Sequence, residues 1–144
     1  LLELVDPDLF LLAGRYTLLE QIPLDTLFPE CARRGVGIVI GGPYNSGILA
    51  GGTTYNYAAA PPEVIARAQA LEAVCRTHGV ALPAAALQFV LANPVVVTVI
   101  PGGQTVKETT QNAAMLDVPI PPAFWRELKE RKLLHPQAPT PAQE

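Results

Sequence analysis

The chain has 144 residues, 49% of them hydrophobic, which is enough for one domain with a sizeable core and too apolar for a disordered chain. Its formal net charge is −3 and its basic residues are scattered, so nothing marks it for nucleic acid or an anionic membrane surface. No apolar run approaches the roughly eighteen residues that cross a bilayer, and no basic stretch followed by an apolar one marks export.

Leu1-Leu2-Glu3-Leu4-Val5 has no methionine and reads as the last turn of a helix, so the chain is expected to begin inside a domain. Asp6-Pro7 breaks that pattern. The run from Asp8 to Gly14 is continuously apolar and ends on glycine, which predicts a first strand buried on both faces. Arg15 to Glu20 follows as a loop. Apolar residues at Leu24, Leu27, Phe28 and Cys31 then have helical spacing, with a stop at Gly35. Val36 to Ile40 is a second buried strand, ended by Gly41-Gly42-Pro43, and a long loop is expected as far as Asn56.

Pro61 and Pro62 open an amphipathic helix with Val64, Ala68, Leu71 and Cys75 inward, Arg67, Glu72 and Arg76 as polar positions, and an end near His78-Gly79. Leu82-Pro83 starts a second, nearly all-apolar helix over Ala84 to Ala92, whose composition marks it as buried. Asn93-Pro94 stops it. Pro121-Pro122 opens a last helix from Ala123 to about Leu133, with Phe124 and Leu128 inward and a Glu127–Arg131 pair outward. Residues 1–134 thus form the folded part, and the proline-rich polar stretch 135–144 a flexible tail. Cys31 and Cys75 fall in helical apolar patterns with no Cys or His at ligand spacing. Buried free thiols in a reducing cytoplasm are expected, with no metal site.

Pro94 to Asn112 carries the most chemistry. The β-branched run Val95 to Ile100 meets Pro101, Gly102 and Gly103, and Thr105 followed three places later by Glu108 is a capping-box signature that opens a helix. A helix start offers unpaired N–H groups and a positive dipole end, and two glycines let an anion approach the backbone. The stretch reads either as a phosphate seat or as a plain strand-to-helix turn.

Continuously apolar strands alternating with helices imply a parallel α/β sheet covered by helices. Three strands do not close an eight-stranded barrel and leave an open edge, so the chain reads as a fragment of a larger (β/α) unit or as one that assembles with a partner. Ligands collect at the C-terminal ends of such strands, here Ala13 to Tyr16, Gly41 to Asn45 and Pro101 to Gly103.

Three segments, Leu12 to Leu19, Gly42 to Gly51 and Ile100 to Asn112, resemble in order and spacing the last three β/α units of aldo-keto reductases. Within that family they are most similar to the sugar and pyridoxal dehydrogenases, of the type that oxidises L-fucose or D-threo-aldoses. The resemblance implies the C-terminal portion of a (β/α)8 TIM barrel, about three parallel strands with covering helices. It also implies hydride transfer between a nicotinamide and an aldose, aldehyde or alcohol. It assigns the pyrophosphate to Gly42, Pro43, Tyr44, Asn45, Ser46 and Gly47, whose backbone amides suit an anion. It assigns the adenosine end to Gly102, Gly103, Gln104 and Thr105, with Gln111 and Asn112 facing the adenine.

The sequence departs from the family pattern in three places. Where NADP-specific members carry Lys or Arg against the 2′-phosphate, this chain has Gly102 and Thr105, with only Lys107 nearby. NAD or NADP is expected, NAD slightly favoured. The glutamine that meets the nicotinamide carboxamide is replaced by Ala13, which leaves Arg15 or Tyr16 to line the pocket. The family's Asp, Tyr, Lys and His tetrad lies in the first half of the barrel and has no counterpart here, for Tyr16, Tyr44, Tyr55 and Tyr57 have no lysine placed near them by any motif. The chain alone is therefore expected to bind cofactor without turnover. The alternatives are an inactive truncated chain, or a nucleotide-binding chain that pairs its open sheet edge with another subunit.

Overall fold

The computed structural model describes residues 5–141. Of the helical end expected over Leu1–Val5, only Val5 lies within that range, exposed and in no regular element. In chain order the elements are β1 (Leu9–Ala13), α1 (Leu27–Arg34), β2 (Gly37–Gly41), β3 (Thr54–Tyr55), β4 (Ala58–Ala59), α2 (Pro62–His78), α3 (Leu82–Leu91), β5 (Val96–Ile100), α4 (Val106–Ala114) and α5 (Pro122–Glu130). Short 3-10 turns at Ile22–Leu24, Asn45–Ala50 and Met115–Asp117 join them.

The frame is a parallel three-stranded sheet in the order β1-β2-β5, with Leu9 beside Gly37 and Ala13 beside Gly41. Helix ends fall where the residues dictate. Gly35 and Gly79 close α1 and α2 at φ 70° and 65°, a left-handed turn that costs glycine nothing. Proline stands in the first turn of α2, α3 and α5, where its missing N–H has no partner to lose.

One face of the sheet makes the core. Ile38 and Ile40 are fully buried in a cluster with Leu71 and Val74 of α2, Leu87, Phe89 and Val90 of α3, and Phe124, Trp125 and Leu128 of α5. Helix α3 is buried nearly all round, as its composition implies. No single described helix is long and apolar enough to cross a membrane, and α2 and α3, which together have the length, meet at 101°. Both cysteines are free and buried.

Three expectations are corrected. The first strand is not buried on both faces: Leu9 and Leu11 are 55% and 64% exposed, because the face they share has nothing over it among the described residues. The long loop to Asn56 holds a 3-10 turn and the start of a small antiparallel hairpin, β3 with β4, which the short polar sequence does not announce. The expected flexible tail is docked as far as the structure describes it. His135 N–H donates to Gln21 Oε1 at 2.8 Å, His135 Nε2 lies 3.3 Å from Asp25, and Ala138 is buried. Helix α2 ends at His78 with Gly79 as its cap, as expected, and His78 pairs with Glu127 of α5 at 2.6 Å and meets the edge of Phe124. Glu127 also holds Arg131, as expected.

Candidate functional site

Strands β1, β2 and β5 are parallel, and past a register shift against β5 between Ile38 and Val39, Ala13, Gly41 and Ile100 end side by side. Gly14 turns away at φ 63° and its N–H donates to Gly41 O at 2.9 Å, which ties the first two ends together. The loop after β2 then coils tightly. Gly42, Asn45, Ser46 and Gly47 all have positive φ, and the N–H groups of Asn45 and Gly47 bond back to Gly42 O and Tyr44 O. Pro43, Tyr44 and Asn45 are buried and Ile48 and Leu49 pin the loop into the core. Ser46 is half-buried, its hydroxyl accepting from Tyr57 N–H at 3.0 Å.

Asn45 is a buried polar side chain. Its Nδ2 donates to Gly14 O at 3.2 Å, which fixes the orientation of the amide, and its Oδ1 is buried with no hydrogen-bond partner among the described residues.

The loop after β5 is the opposite in character. Gly102, Gly103, Gln104 and Thr105 are all exposed, and a Cβ on Gly102 would have open space around it, so a ligand can lie against that backbone. The predicted capping box is present: Thr105 Oγ1 accepts from Glu108 N–H at 3.2 Å. The Glu108 carboxylate accepts from Gln104 N–H at 2.6 Å and Thr105 N–H at 3.3 Å. A side-chain anion thus already sits on those two amides. The capping pattern showed Glu108 as a cap; that the same carboxylate stands where a phosphate would is a consequence of its reach past Thr105 to Gln104.

Asn112 joins the two loops. Tyr44 OH donates to its Oδ1 at 2.9 Å, and its Nδ2 donates to Gly102 O at 3.1 Å. Both atoms of the amide are therefore engaged within the chain, across 68 positions of sequence to Tyr44. Gln111 and Lys107 are exposed on α4.

Tyr16 is elsewhere. It is fully buried, its ring centroid 4.7 Å from Phe28 and 5.2 Å from Phe89, and its hydroxyl faces Asn93 at 3.5 Å, so it is a core residue rather than a pocket wall. Arg15 points to Glu20 at 3.5 Å, and Glu20 also accepts from Tyr55 OH. Burial pushes the hydroxyls of Tyr16 and Tyr44 up to about 12 and raises Tyr55 as well, the reverse of what a proton-donating tyrosine needs.

The model of the Aldo/keto reductase family matches residues 5–132. A D-threo-aldose 1-dehydrogenase from Pseudomonas sp is 42% identical over 141 residues, covering 94% of this chain and 42% of that protein. A pyridoxal 4-dehydrogenase from Microbacterium luteolum is 39% identical over 137 residues, covering 92% and 40%. Among solved structures, an aldo-keto reductase from Bacillus halodurans superposes on 92% of this chain, with TM-scores of 0.61 for its holo form and 0.63 for its apo form. The identities are 24% and 23%, and the match spans 44% and 45% of that protein. The chain thus spans less than half the length of each.

Proposed function

The chain belongs to the aldo/keto reductase family, and we propose that it supplies the dinucleotide-binding part of an NAD(P)-dependent oxidoreductase of aldoses, aldehydes or alcohols. The observation that carries this reading is the Tyr44–Asn112–Gly102 bridge, which makes one continuous cradle of two strand-end loops. The cradle suits a dinucleotide. The coiled Gly42 to Gly47 loop, whose Asn45 and Gly47 N–H groups are bonded within it, brings backbone close to a pyrophosphate, and the open backbone at Gly102 offers room for an adenosine. The buried, unpartnered Asn45 Oδ1 adds an acceptor beside them. The bound nicotinamide supplies or accepts the hydride. Gln111, exposed on α4, is left to meet the adenine, while Asn112 shapes the loop instead of meeting the base.

NAD is favoured over NADP. Glu108 places a carboxylate on the Gln104 and Thr105 amides, where it accepts readily from ribose hydroxyls and repels a 2′-phosphate. The names of the two dehydrogenase relatives favour an aldose or another aldehyde as substrate. The buried free thiols suit a cytoplasmic setting. A nucleotide-binding role without catalysis is the second reading for the chain alone. It is favoured by the hydroxyls of Tyr16, Tyr44 and Tyr55, each held by a side chain that is not a lysine.

Thermal unfolding of the 144-residue chain with added NAD or NADP tests the cofactor. NAD is expected to raise the midpoint more than NADP; the reverse order overturns the preference, and no shift with either overturns the cradle. The chain alone is expected to give no turnover with NAD and aldoses, and hydride transfer above buffer overturns that.

A further inference from the structure

The docked end of the chain, the turn before α1 and parts of α2 and α5 line a groove of about 590 Å³, and none of its lining residues belongs to the cradle. Part of the lining is apolar: Leu134 is buried, and Ile22 is left 74% exposed. The rest is cationic, with Arg67 from α2, Lys129 from the last turn of α5 and Lys132 just beyond it. None of these cations has an ion-pair partner among the described residues. Asp25 is taken by His135 at 3.3 Å, which leaves Glu130 as the one unpaired carboxylate in the lining. The helix dipole accounts for cations at the end of α5, where carbonyls lack partners. It does not account for Arg67, which stands in the second turn of α2, near an end that favours negative charge. Arg67 Nη2 donates to Leu133 O at 2.7 Å, which fixes the guanidinium beside the docked end. Its other N–H groups, including a buried Nε, have no partner among the described residues.

We propose that this groove binds an aliphatic monocarboxylate, its carboxylate held by Arg67, Lys129 and Lys132 and its hydrocarbon chain laid on Ile22, Leu134 and Pro136. A guanidinium held in one orientation matches a planar carboxylate, and the lysines add point charges. An inorganic anion would meet the cations and leave Ile22 bare. A neutral hydrocarbon would cover Ile22 and leave the cations unmet. A molecule carrying both parts uses the whole lining, and the volume falls within the roughly 300–1,000 Å³ of small-molecule sites. Such a ligand bridges α2, α5 and the turn before α1 through residues of the docked end. It should therefore steady the bonds that hold that end, His135 N–H to Gln21 Oε1 at 2.8 Å and Ala138 N–H to His135 O at 2.9 Å. No cradle residue takes part, so this inference stands or falls apart from dinucleotide binding.

The test is a calorimetric titration of the 144-residue chain with octanoate, kept below the concentration at which it forms micelles. Octanol and inorganic phosphate serve as matched probes that each carry one half of its chemistry, and amide exchange gives a second reading. One saturable site for octanoate is expected, with exchange at His135 and Ala138 slowed severalfold. Octanol and phosphate should each bind at least about tenfold more weakly, the equivalent of one charge-assisted contact or more. The double substitution Lys129→Gln with Lys132→Gln should weaken octanoate by about tenfold while the unfolding midpoint stays in place, since neither lysine is paired within the described chain. Ile22→Ser, at an exposed position, should also weaken it. Arg126→Gln, exposed on α5 outside the groove, should leave it unchanged. Absence of octanoate binding overturns the proposal, and so does octanol or phosphate binding as tightly. Binding that ignores the lysine pair, or that leaves exchange at His135 and Ala138 unaltered, places the ligand elsewhere and overturns it too.

Discussion

The two loops of the cradle do the same geometric job by opposite physical means. After β2, the chain coils through four left-handed residues and anchors itself with Ile48 and Leu49, so its shape is set by the core. After β5, every residue from Gly102 to Gln111 is exposed, and the shape is held by a capping box and by Asn112. A fixed loop can pre-organise amides for an anion; an exposed one can adjust to the far end of a long ligand. Substitutions in the first should therefore cost folding, and those in the second should cost local order or binding.

The largest effect is expected from Leu49→Ala. Leu49 is fully buried, and truncating such a residue costs about 2–5 kcal/mol through lost transfer energy and the cavity left behind. Domains have about 5–15 kcal/mol in all, and one whose sheet has a bare face belongs toward the low end. The denaturation midpoint should fall sharply. The matched change beside the other loop, Val106→Ala at the first residue of α4 and 86% exposed, should move it by less than about 0.5 kcal/mol. Equal shifts would break the contrast.

Tyr44→Phe tests the link between the two regions. It removes one hydrogen bond, to Asn112, and leaves the ring in place, so the stability loss should be about 1 kcal/mol. If the bridge pre-shapes the cradle, NAD affinity measured calorimetrically should drop by about fivefold, the equivalent of that same energy. Unchanged affinity with lowered stability would make the bridge purely structural.

The contrast also explains what could be read from the sequence. Local signals were sufficient wherever the cause is local: Gly35 and Gly79 as left-handed helix ends, Thr105 with Glu108 as a capping box, Phe124 and Leu128 as the inward stripe of α5. Bonds between distant positions leave no periodic trace. Nothing in the pattern pairs Gln21 with His135 or Tyr44 with Asn112, so the docked end looked like a tail and Asn112 looked free to meet a base. Tyr16 misled because a polar tip on a loop at a strand end suggests a pocket, whereas its ring fills space between Phe28 and Phe89. Leu9 and Leu11 misled for another reason. An apolar run reports that both sides of a strand belong in an interior, and only the described chain decides which side is covered.

The smallest global effect is expected from Thr105→Ala. Removing an N-cap hydroxyl costs about 1 kcal/mol, here the bond from Glu108 N–H to Thr105 Oγ1. Helix α4 has no buried residue, so little core depends on its first turn and the loss should stay local. Amide exchange at Val106 to Glu108 should quicken severalfold while the unfolding midpoint barely moves. The Glu108 carboxylate keeps both of its contacts, because they are to the backbone N–H groups of Gln104 and Thr105 and not to the hydroxyl. The NAD preference over NADP should therefore be kept. If the midpoint instead falls as far as it does for Tyr44→Phe, α4 is coupled to the core as firmly as the β2 loop, and the two halves of the cradle are mechanically alike.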